Sequence, residues 1–312
     1  MTRSDYVRWF GDIRSEDVGL VGGKNASLGE MYSAMTASSV RVPDGFALTA
    51  RAYRDALSEA GAWERLATLL RGLGKDDVAR LARDAAAARE IVYAATGGAA
   101  LRGQILAAYA ELRRQCGDDV ALAVRSSATA EDLPTASFAG QHESFLNVRG
   151  ETELVEACRR CFASVFTDRA IVYRNDNGFD HLKVSLSVGV MKMVRSDLAA
   201  SGVIFTLDTD SGFRDVVYVT GSYGLGENVV QGRVDPDEFY VHKPTFRAGR
   251  RCVLRRRVGR KQRRLVYGED VCGTVDVEVS EEQRRRFCVE DGDVLKLCDY
   301  ALRIEEHYSR RA

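Results

Sequence analysis

The sequence lacks an excess of either charge and lacks a long apolar run, and each absence excludes a class of protein. Its 312 residues include 45 basic and 45 acidic ones, so no overall electric field attracts nucleic acid or an anionic membrane. No apolar stretch is long enough to span a bilayer. The opening residues, MTRSDYVRWFGD, contain no hydrophobic signal core. We therefore expect a cytoplasmic protein that has neither a nucleic-acid partner nor a membrane partner.

The cysteines do not indicate a disulfide framework or a zinc site. There are seven of them, an odd number, and their spacing does not match a disulfide-rich fold. Cys158 and Cys161 form a C-x-x-C motif inside a helical stretch with no second pair nearby, whereas a structural zinc site needs four converging ligands. We interpret these two thiols as residues that pack a helix.

Periodicity predicts a helical segment followed by a mixture of strands and helices. From about residue 53 to residue 116, Ala, Leu and Arg recur at helical spacing. Glycines at 72–74 and 97–98 divide this stretch into about three predicted helices. Several short strands follow, and a long helix is predicted at about 152–175. Since the strands and helices do not alternate strictly, we predict an α+β fold rather than a doubly wound parallel sheet.

The length also bounds the domain organisation. With 45% apolar and 29% charged residues, the composition is that of an ordinary globular protein, and the chain is long enough for two lobes. We place the first lobe at residues 1–195, including the helical insert at 53–116, and the second lobe at residues 196–312.

Three stretches have the chemistry of phosphate binding, in which glycine lets backbone N–H groups approach a ligand that Lys or Arg also contacts. The first is Gly22-Gly23-Lys24. It is not a P-loop, because three residues rather than four separate Gly19 from Gly23, and Asn25 stands where Ser or Thr is required. By itself, this stretch is better explained as a glycine turn with a solvated lysine.

The second stretch is a long loop between two predicted strands, within residues 124–148. Arg125 supplies a buried-looking charge at the strand end where the loop begins. The loop contains too many alanines, together with Phe138, for an ordinary solvated loop. We therefore predict a mobile lid that closes on a ligand and excludes water, and the alternative is a polar surface loop. Its small donors are Ser126, Ser127, Thr129, Ser137, Gly140 and Gln141.

The third stretch covers residues 221–241 and contains G-x-G. Val229 stands where the last glycine of a dinucleotide-binding fingerprint belongs, and the stretch does not open a helix in a β–α–β unit. A Rossmann interpretation is therefore weak.

Taken together, these stretches resemble a known family. The matching blocks are VGGKNASLGEM, RVPDGFALT, VRSSATAEDLPTASFAGQHESFLNV, FTDRAIVYR, VRSDLAASGVIFTLDTDSGFRD and GLGENVVQGRVDPDEFYV. They occur over nearly the whole chain in the order found in the N-terminal nucleotide-binding domain of the phosphoenolpyruvate synthase (pyruvate, water dikinase) family. This family belongs to a wider group with pyruvate, phosphate dikinase and rifampicin phosphotransferase. The resemblance implies an ATP-grasp fold, in which two lobes clamp ATP.

The resemblance also implies which residues contact the phosphates. Lys24 and Arg125 match the ATP-phosphate contacts of the family and are the expected catalytic residues. Residues 137–143 match the flexible loop over the phosphates. Within that loop, the expected ATP-binding residues are Ser137, Gly140 and Gln141.

A further match lies at the hinge beside the adenine. The family usually has glutamine where this chain has Met191, so we expect binding through backbone contacts alone and a weaker affinity. For Mg²⁺, three carboxylates are possible weak substitutes for the ligands of the family: Asp208, Glu227 and Asp237. We favour Glu227, because it follows the Gly224-Leu225-Gly226 turn. The four hinge residues are Met191, Lys192, Met193 and Val194.

The implied activity is the phosphotransferase step of pyruvate + ATP + water giving phosphoenolpyruvate + AMP + phosphate, with ATP and Mg²⁺, as in gluconeogenesis. The family passes the phosphoryl group through a histidine in a Gly-Gly-x-Thr-x-His motif, and binds pyruvate on a barrel domain. It also holds the metal on an Asp-x-Glu-Trp strand. None of the four histidines here lies in that motif, and the barrel and the strand do not appear in these 312 residues. The histidines are His142, His181, His242 and His307.

The expected partners are therefore phosphohistidine and phosphoenolpyruvate-binding domains of a longer or separate chain, and we expect these residues alone not to make phosphoenolpyruvate. A fragment, a subunit of a split enzyme and a degenerate remnant all fit the sequence. The alternative functions are a rifampicin-type antibiotic phosphotransferase domain and a non-catalytic nucleotide-binding protein.

A basic stretch, residues 247–264, contains ten Lys and Arg residues. It is typical either of a phosphate or nucleic-acid surface or of an exposed hairpin. Because the net charge of the chain is zero, we favour the hairpin. Arg284 to Arg286 are interpreted as a solvated face of the final helix, which is predicted to begin at Ser280.

Overall fold

The computed structural model describes residues 6–35, 40–73, 77–129, 132–133, 136–137, 143–268 and 273–310, with the backbone alone at 132–133 and 136–137. Within these residues, helices mix irregularly with antiparallel sheets, so the predicted α+β class is confirmed. The described residues form two compact units. The first ends at Met193, and the second contains Val40 and the described residues from Val194 onward. No described helix has both the length and the apolar composition that a membrane span requires.

The first unit combines a helical layer with a five-stranded sheet. Its α-helices are α1 (Val18–Met35), α2 (Ala50–Glu59), α3 (Ala62–Leu70), α4 (Val78–Ala95), α5 (Ala99–Cys116), α6 (Gly150–Ala163) and α7 (Asp168–Asp176). Its strands are β1 (Val7–Trp9), β2 (Gly45–Leu48), β3 (Leu122–Ala128), β4 (Asp132–Leu133), β5 (Ala136–Ser137), β6 (Ser144–Val148) and β7 (Leu186–Lys192). The large sheet has the order β1-β2-β7-β3-β6, and each of its strand pairs is antiparallel.

The two faces of this sheet pack against different cores. Side chains alternate between the faces of a strand, and in β3 the fully buried Leu122 and Val124 join the large helical core that contains residues of α2 to α6. Burying each such side chain stabilises the fold by about 1.5–3 kcal/mol. Ala123 points to the opposite face. There it joins a smaller core that contains Met191 of β7 and Val21 of α1. Arg125 lies on the sheet face that packs against this smaller core.

Two helix predictions were wrong in their boundaries. The glycine breaks near 72 and 97 are confirmed, but Gly61 adds another break between α2 and α3, because its φ of +59° is left-handed. The predicted long helix at about 152–175 is divided, since α6 ends at Ala163 and α7 begins after Thr167, whose side chain caps the helix by accepting from the Ala170 N–H. Four helices therefore stand where three were predicted.

The second unit contains a four-stranded antiparallel sheet that packs against a long helix. Its strands are β8 (Ala200–Phe205), β9 (Val216–Tyr223), β10 (Asp237–His242), β11 (Val253–Arg257), β12 (Arg263–Tyr267) and β13 (Thr274–Glu278). The larger sheet has the order β11-β10-β9-β8, and β12 pairs with β13. Its helices are α8 (Glu227–Val230), α9 (Lys243–Arg247), α10 (Glu281–Arg284) and α11 (Asp291–Ser309). Val217 and Phe239 of the sheet meet Val294 and Cys298 of α11 in one core.

The basic stretch does not form the predicted hairpin. Its two strands pair with different partners, β11 with β10 and β12 with β13. The final helix also begins later than predicted, because α10 ends at Arg284 and α11 starts at Asp291. Four of the ten basic residues form ion pairs with carboxylates of this unit: Arg256, Arg257, Arg260 and Lys261.

Cys158 and Cys161 pack α6 against the sheet, as predicted. Both side chains are fully buried in the large core, and Cys161 Sγ lies 3.6 Å from the carbonyl oxygen of Val124 on β3. Burial raises the pKa of both thiols.

Candidate functional site

The Gly-Gly-Lys stretch forms a sharp turn that starts the main part of α1. Gly22 has φ +76° and ψ 162°, a conformation that is essentially restricted to glycine. A Cβ atom on Gly22 would lie 2.3 Å from Ser127 Oγ and 2.4 Å from the Ser127 carbonyl oxygen. Glycine is therefore needed both for the backbone angle and for the close approach to β3. The helix resumes at Gly23, which leaves the first-turn N–H groups without intrahelical partners.

Asn25 fastens this turn to the sheet. Its backbone N–H donates to Ser127 Oγ over 3.2 Å, and its Nδ2 donates to Ser187 Oγ over 3.0 Å. Ser187 Oγ in turn donates to the carbonyl oxygen of Leu48 over 2.6 Å. A Cβ on Gly189 would lie 2.3 Å from Asn25 Oδ1, so the side chain of Asn25 lies directly over β7. This buried chain of hydrogen bonds fixes the start of α1 to three strands.

Arg125 lies on the same face of the sheet as this turn. Residues two apart in a strand share a face, so Arg125 shares a face with Ser127, which contacts the turn. In register, Arg125 pairs with Gly189 and Ser127 pairs with Ser187. The pairing therefore brings the start of α1 and the guanidinium-bearing residue to one face of β3 and β7.

Two expectations about Arg125 were wrong. It is the fourth of the seven residues of β3 rather than the strand end, and its side chain is exposed rather than buried. Ser126 and Ser127, predicted as loop donors, are buried residues of the same strand. Thr129 follows the strand, and its hydroxyl donates to the carbonyl oxygen of Ser185. These hydroxyl groups support the sheet instead of lining a lid.

The arrangement is suited to an anion. The N-terminal end of a helix carries partial positive charge, and the part of α1 that follows the Gly22 kink begins at Gly23. Lys24, half-buried in the first turn, adds an ammonium group, and the exposed Arg125 adds a guanidinium group. A phosphate group is the common biological ligand with this preference.

Most of the predicted lid lies outside the described residues. Gly140 and Gln141 belong to that part, and for Ser137 only the backbone is described, as part of β5, which pairs with β4. Glu143, at the far end, is exposed, and its carbonyl oxygen accepts from Ser126 Oγ over 3.3 Å. The contacts of this loop with ATP stay a prediction.

The predicted hinge residues have distinct environments. Met191 is 9% exposed and packs in the smaller core, so its side chain is a core residue. The Lys192 N–H donates to the Asp44 carbonyl oxygen and the Met193 N–H donates to the Ala121 carbonyl oxygen, both over 2.9 Å. These two backbone donors are thus used within the first unit, whereas the side chain of Val194 is 65% exposed.

The carboxylates predicted as metal ligands have other partners. Glu227 Oε1, on α8, accepts from Gln231 Nε2, and the hydroxyl of Ser211 holds the pKa of Asp208 below its usual value. Asp237 is fully buried and bonds to the ammonium group of Lys261, so its proposed role as a substitute ligand was wrong. Within the described ranges, no three His, Cys, Asp or Glu side chains are grouped as a metal site. The assignment of Glu227 as a Mg²⁺ ligand stays a prediction.

Sequence reasoning missed Asn25, Ser187 and Gly189. Asn25 had been noted only because it departs from the P-loop pattern, and its actual role is to hold the turn. The serine and the glycine lie on β7, more than 160 residues away in sequence, and nothing in the local pattern connects them with the turn.

Comparison with known proteins supports the same interpretation as the geometry. The family model of the pyruvate phosphate dikinase AMP/ATP-binding domain matches residues 18–312. The chain is 51% identical over 309 residues to phosphoenolpyruvate synthase of Pseudomonas aeruginosa, and the match covers 98% of this chain and 39% of that protein.

Two further relatives agree. The chain is 49% identical to phosphoenolpyruvate synthase of Synechocystis, over 97% of this chain and 38% of that protein. It is 47% identical to phosphoenolpyruvate synthase of Escherichia coli K12, over 98% of this chain and 39% of that protein. The chain thus spans about two fifths of the length of these curated relatives. The resemblance stated from the sequence is confirmed.

Proposed function

The chain belongs to the pyruvate phosphate dikinase AMP/ATP-binding domain family, and on this premise we propose that it is the ATP-binding phosphotransferase domain of a phosphoenolpyruvate synthase. The observation that carries the proposal is the Gly22 turn, after which α1 continues on the sheet face that carries Arg125. Helix N–H groups, Lys24 and Arg125 together supply the donors and positive charge that ATP phosphates require.

In this proposal, the whole reaction converts pyruvate, ATP and water into phosphoenolpyruvate, AMP and phosphate. The relatives extend well beyond the region matched here, since it covers 38–39% of them. We assign pyruvate binding and the phosphohistidine carrier to such further domains, in the same or a separate chain. The two compact units correspond, in the proposal, to the two lobes of an ATP-grasp fold.

Within this chain, the proposed roles are binding and charge neutralisation. Lys24 and the N-terminal end of the helix that follows Gly22 hold phosphate oxygens, and Arg125 offsets the negative charge that the phosphate groups carry during transfer. Gly22 and Asn25 position Lys24 by holding the turn on β3. Mg²⁺ supplies further charge neutralisation when it enters with ATP, and no step here depends on a protein ligand for it.

Isothermal titration calorimetry with ATP tests the assignment. Losing one charge-assisted contact should weaken binding by about 1.5–3 kcal/mol, or roughly tenfold to a hundredfold. We expect this loss for Lys24→Ala and for Arg125→Ala. Matched controls are Lys296→Ala on α11 and Arg102→Ala on α5, because both side chains are exposed, and both variants should bind ATP like the wild type.

Two outcomes would reject the proposal. Equal ATP affinity in the wild type, Lys24→Ala and Arg125→Ala would remove these residues from the nucleotide site. Absence of ATP binding in the wild type, at concentrations where its fold is intact by circular dichroism, would reject the ATP-binding function. Phosphorus NMR of the protein as its gene encodes it, with ATP, Mg²⁺ and pyruvate, tests the wider reaction through pyruvate-dependent AMP.

A further inference from the structure

A second positively charged group lies inside the first unit, on the helical side of the sheet. Arg174, in the last turn of α7, is fully buried. Its Nε donates to His181 Nδ1 over 3.0 Å. Its Nη1 and Nη2 are buried and have no hydrogen-bond partner among the residues that the structure describes. Leaving such donors unpaired is costly.

Tyr53 presents a second buried donor close to this arginine. It lies on α2, its side chain is fully buried, and its hydroxyl has no hydrogen-bond partner within the described part of the chain. Tyr53 packs on the ring of Phe162, and Arg174 packs on the ring of Phe166 four residues later. The two groups therefore face the same segment, and each also shifts the pKa of the other. Since they are not hydrogen-bonded to each other, a bridging acceptor would satisfy both.

Aromatic rings make the surroundings apolar. The ring of Tyr53 stacks on Phe162 at 5.8 Å and meets Trp63 edge-on at 6.2 Å. The guanidinium carbon of Arg174 lies 5.4 Å from the centre of the Phe166 ring. A cation–π contact offsets part of the desolvation of the cation, but it leaves the hydrogen-bonding capacity of both Nη atoms unused.

Among the residues that the structure describes, no carboxylate pairs with Arg174, and Asp180 acts on His181 rather than on the arginine. Burial lowers its pKa to about 10, so the guanidinium stays protonated at neutral pH. Tyr53 is the titratable group that acts on it. His181 accepts the Nε–H through an unprotonated nitrogen, and burial together with the arginine lowers its pKa to about 4, so the imidazole is neutral. A buried cation without an anion is strongly unfavourable.

We propose that Arg174 and Tyr53 bind a small inorganic anion of halide size within the helical core of the first unit. The three unpartnered groups, Nη1, Nη2 and the tyrosine hydroxyl, are all donors, and an anion accepts from each of them. An anion also neutralises the guanidinium charge, which a water molecule does not. The site is separate from the proposed ATP site, because Tyr53, Phe162 and Phe166 belong to the large core, and Lys24 lies on the opposite sheet face.

Crystals of the protein grown or soaked in sodium bromide provide the direct test. Anomalous scattering should show a bromide peak within about 3.5 Å of the Arg174 Nη atoms and the Tyr53 hydroxyl oxygen, a distance typical of hydrogen bonds to a large acceptor. A map with no anomalous peak there, and with the Nη atoms bonded to water or to carbonyl groups, would overturn the proposal.

Thermal unfolding tests the site in solution. The midpoint of the wild type should rise with sodium chloride concentration and then saturate, relative to sodium gluconate at equal ionic strength, because a ligand of the folded state stabilises it. Tyr53→Phe removes only the hydroxyl, and it should raise the chloride concentration for half the effect by about tenfold. Arg169→Met, an exposed position on the same helix, should respond like the wild type.

Arg174→Met should abolish the chloride dependence altogether. If that variant does not fold, Tyr53→Phe and the bromide map still decide the question. A wild type that unfolds at the same temperature in chloride and gluconate would overturn the proposal, and so would a Tyr53→Phe variant with an unchanged chloride response.

Discussion

The chain contains the same three-residue pattern, Gly-x-Lys, in two regions that use it differently. Gly22-Gly23-Lys24 lies in the first unit and Gly259-Arg260-Lys261 lies in the second. In both, the glycine touches another backbone. A Cβ on Gly22 would lie 2.4 Å from the Ser127 carbonyl oxygen, and one on Gly259 would lie 2.2 Å from the Pro236 carbonyl oxygen. The glycines therefore do similar work in both regions.

The lysines do not. Lys24 is half-buried at the start of a helix, on a sheet face that carries another cation. Lys261 is fully buried at a φ of +40°, bonds to the carboxylate of Asp237, and donates to the Gly259 carbonyl oxygen over 3.0 Å. A buried lysine that is paired with a carboxylate holds the fold together, whereas a half-buried lysine in the first turn of a helix is suited to an external anion.

The largest effect should come from breaking the buried pair. Lys261→Met leaves Asp237 without its cation while the carboxylate still accepts from the N–H groups of Gly259 and Cys288. Removing one partner of a buried ion pair typically costs about 3–5 kcal/mol, and we expect this loss in the free energy of unfolding, measured in urea. Arg260→Met is the matched control, because its side chain is 73% exposed, and it should cost less than about 1 kcal/mol.

A second variant distinguishes lost charge from lost packing. Adding Asp237→Asn to Lys261→Met removes the uncompensated carboxylate charge. It keeps only one of the two acceptor oxygens, because the N–H groups of Gly259 and Cys288 bond to different ones, but losing one hydrogen bond costs less than leaving a buried charge unpaired. The double variant should therefore be more stable than Lys261→Met. If it is less stable, or if Lys261→Met unfolds like the wild type, the buried pair does not hold the second unit together.

The next effect concerns the glycine of the first region. Gly22→Ala requires a residue with a Cβ at φ +76° and ψ 162° and pushes Ser127 away. Such a conformation costs about 1–3 kcal/mol, so the urea midpoint and the ATP affinity should both fall. Gly72 also has a positive φ, of +62°, but no atom within 4 Å of its Cβ position. Gly72→Ala should lower stability less and leave ATP binding unchanged, and equal ATP affinity in both variants would contradict the role of the turn.

These two regions show how far the sequence could predict the structure. The glycine turn before Lys24 was predicted because its residues are adjacent in the chain. Asn25 and Arg125 were misjudged because their roles depend on β7, and strand pairing over such separations leaves no local pattern. Asp237 was considered a metal ligand for the same reason, since its partner Lys261 lies 24 residues later.

Local signals also failed where tertiary packing set the boundaries. A single glycine, Gly61, was enough to end α2, although the surrounding helical periodicity continues. Thr167 caps α7 and thereby interrupts a stretch whose periodicity predicted one helix. In the basic stretch, β11 and β12 join different sheets, and arginine composition alone does not specify a strand's partner. The α+β class was predictable because it depends on composition averaged over many elements.

A smaller effect should appear in the pH dependence of stability, at carboxyl groups near Gly259-Arg260-Lys261. Hydrogen bonds from Arg257 hold the pKa values of Asp235 and Glu238 below their usual ranges. A carboxyl whose folded pKa lies below its unfolded pKa stabilises the fold above the unfolded value, and this stability is lost as the pH falls through the folded value. We expect the ion pairs of Arg257 with Asp235 and Glu238 to contribute about 1 kcal/mol to the free energy of unfolding at neutral pH. Urea unfolding from pH 7 to acid should show a shallower decline in Arg257→Met, and parallel curves would contradict this.

The smallest effect on stability should come from the first lysine. Lys24 lies in the first helical turn after Gly22, where the partial positive charge of the helix N-terminus repels its ammonium group. Lys24→Met keeps most of the aliphatic side chain and removes the ammonium group, so the free energy of unfolding should change by about 0.5 kcal/mol or less. The same variant should weaken ATP binding about tenfold or more. Chemical unfolding measures the stability and calorimetry measures the ATP affinity on one preparation. Lys261→Met should instead lower the stability strongly. If Lys24→Met destabilises the protein as strongly as Lys261→Met does, both lysines are structural, and the anion site at the start of α1 must be reassigned.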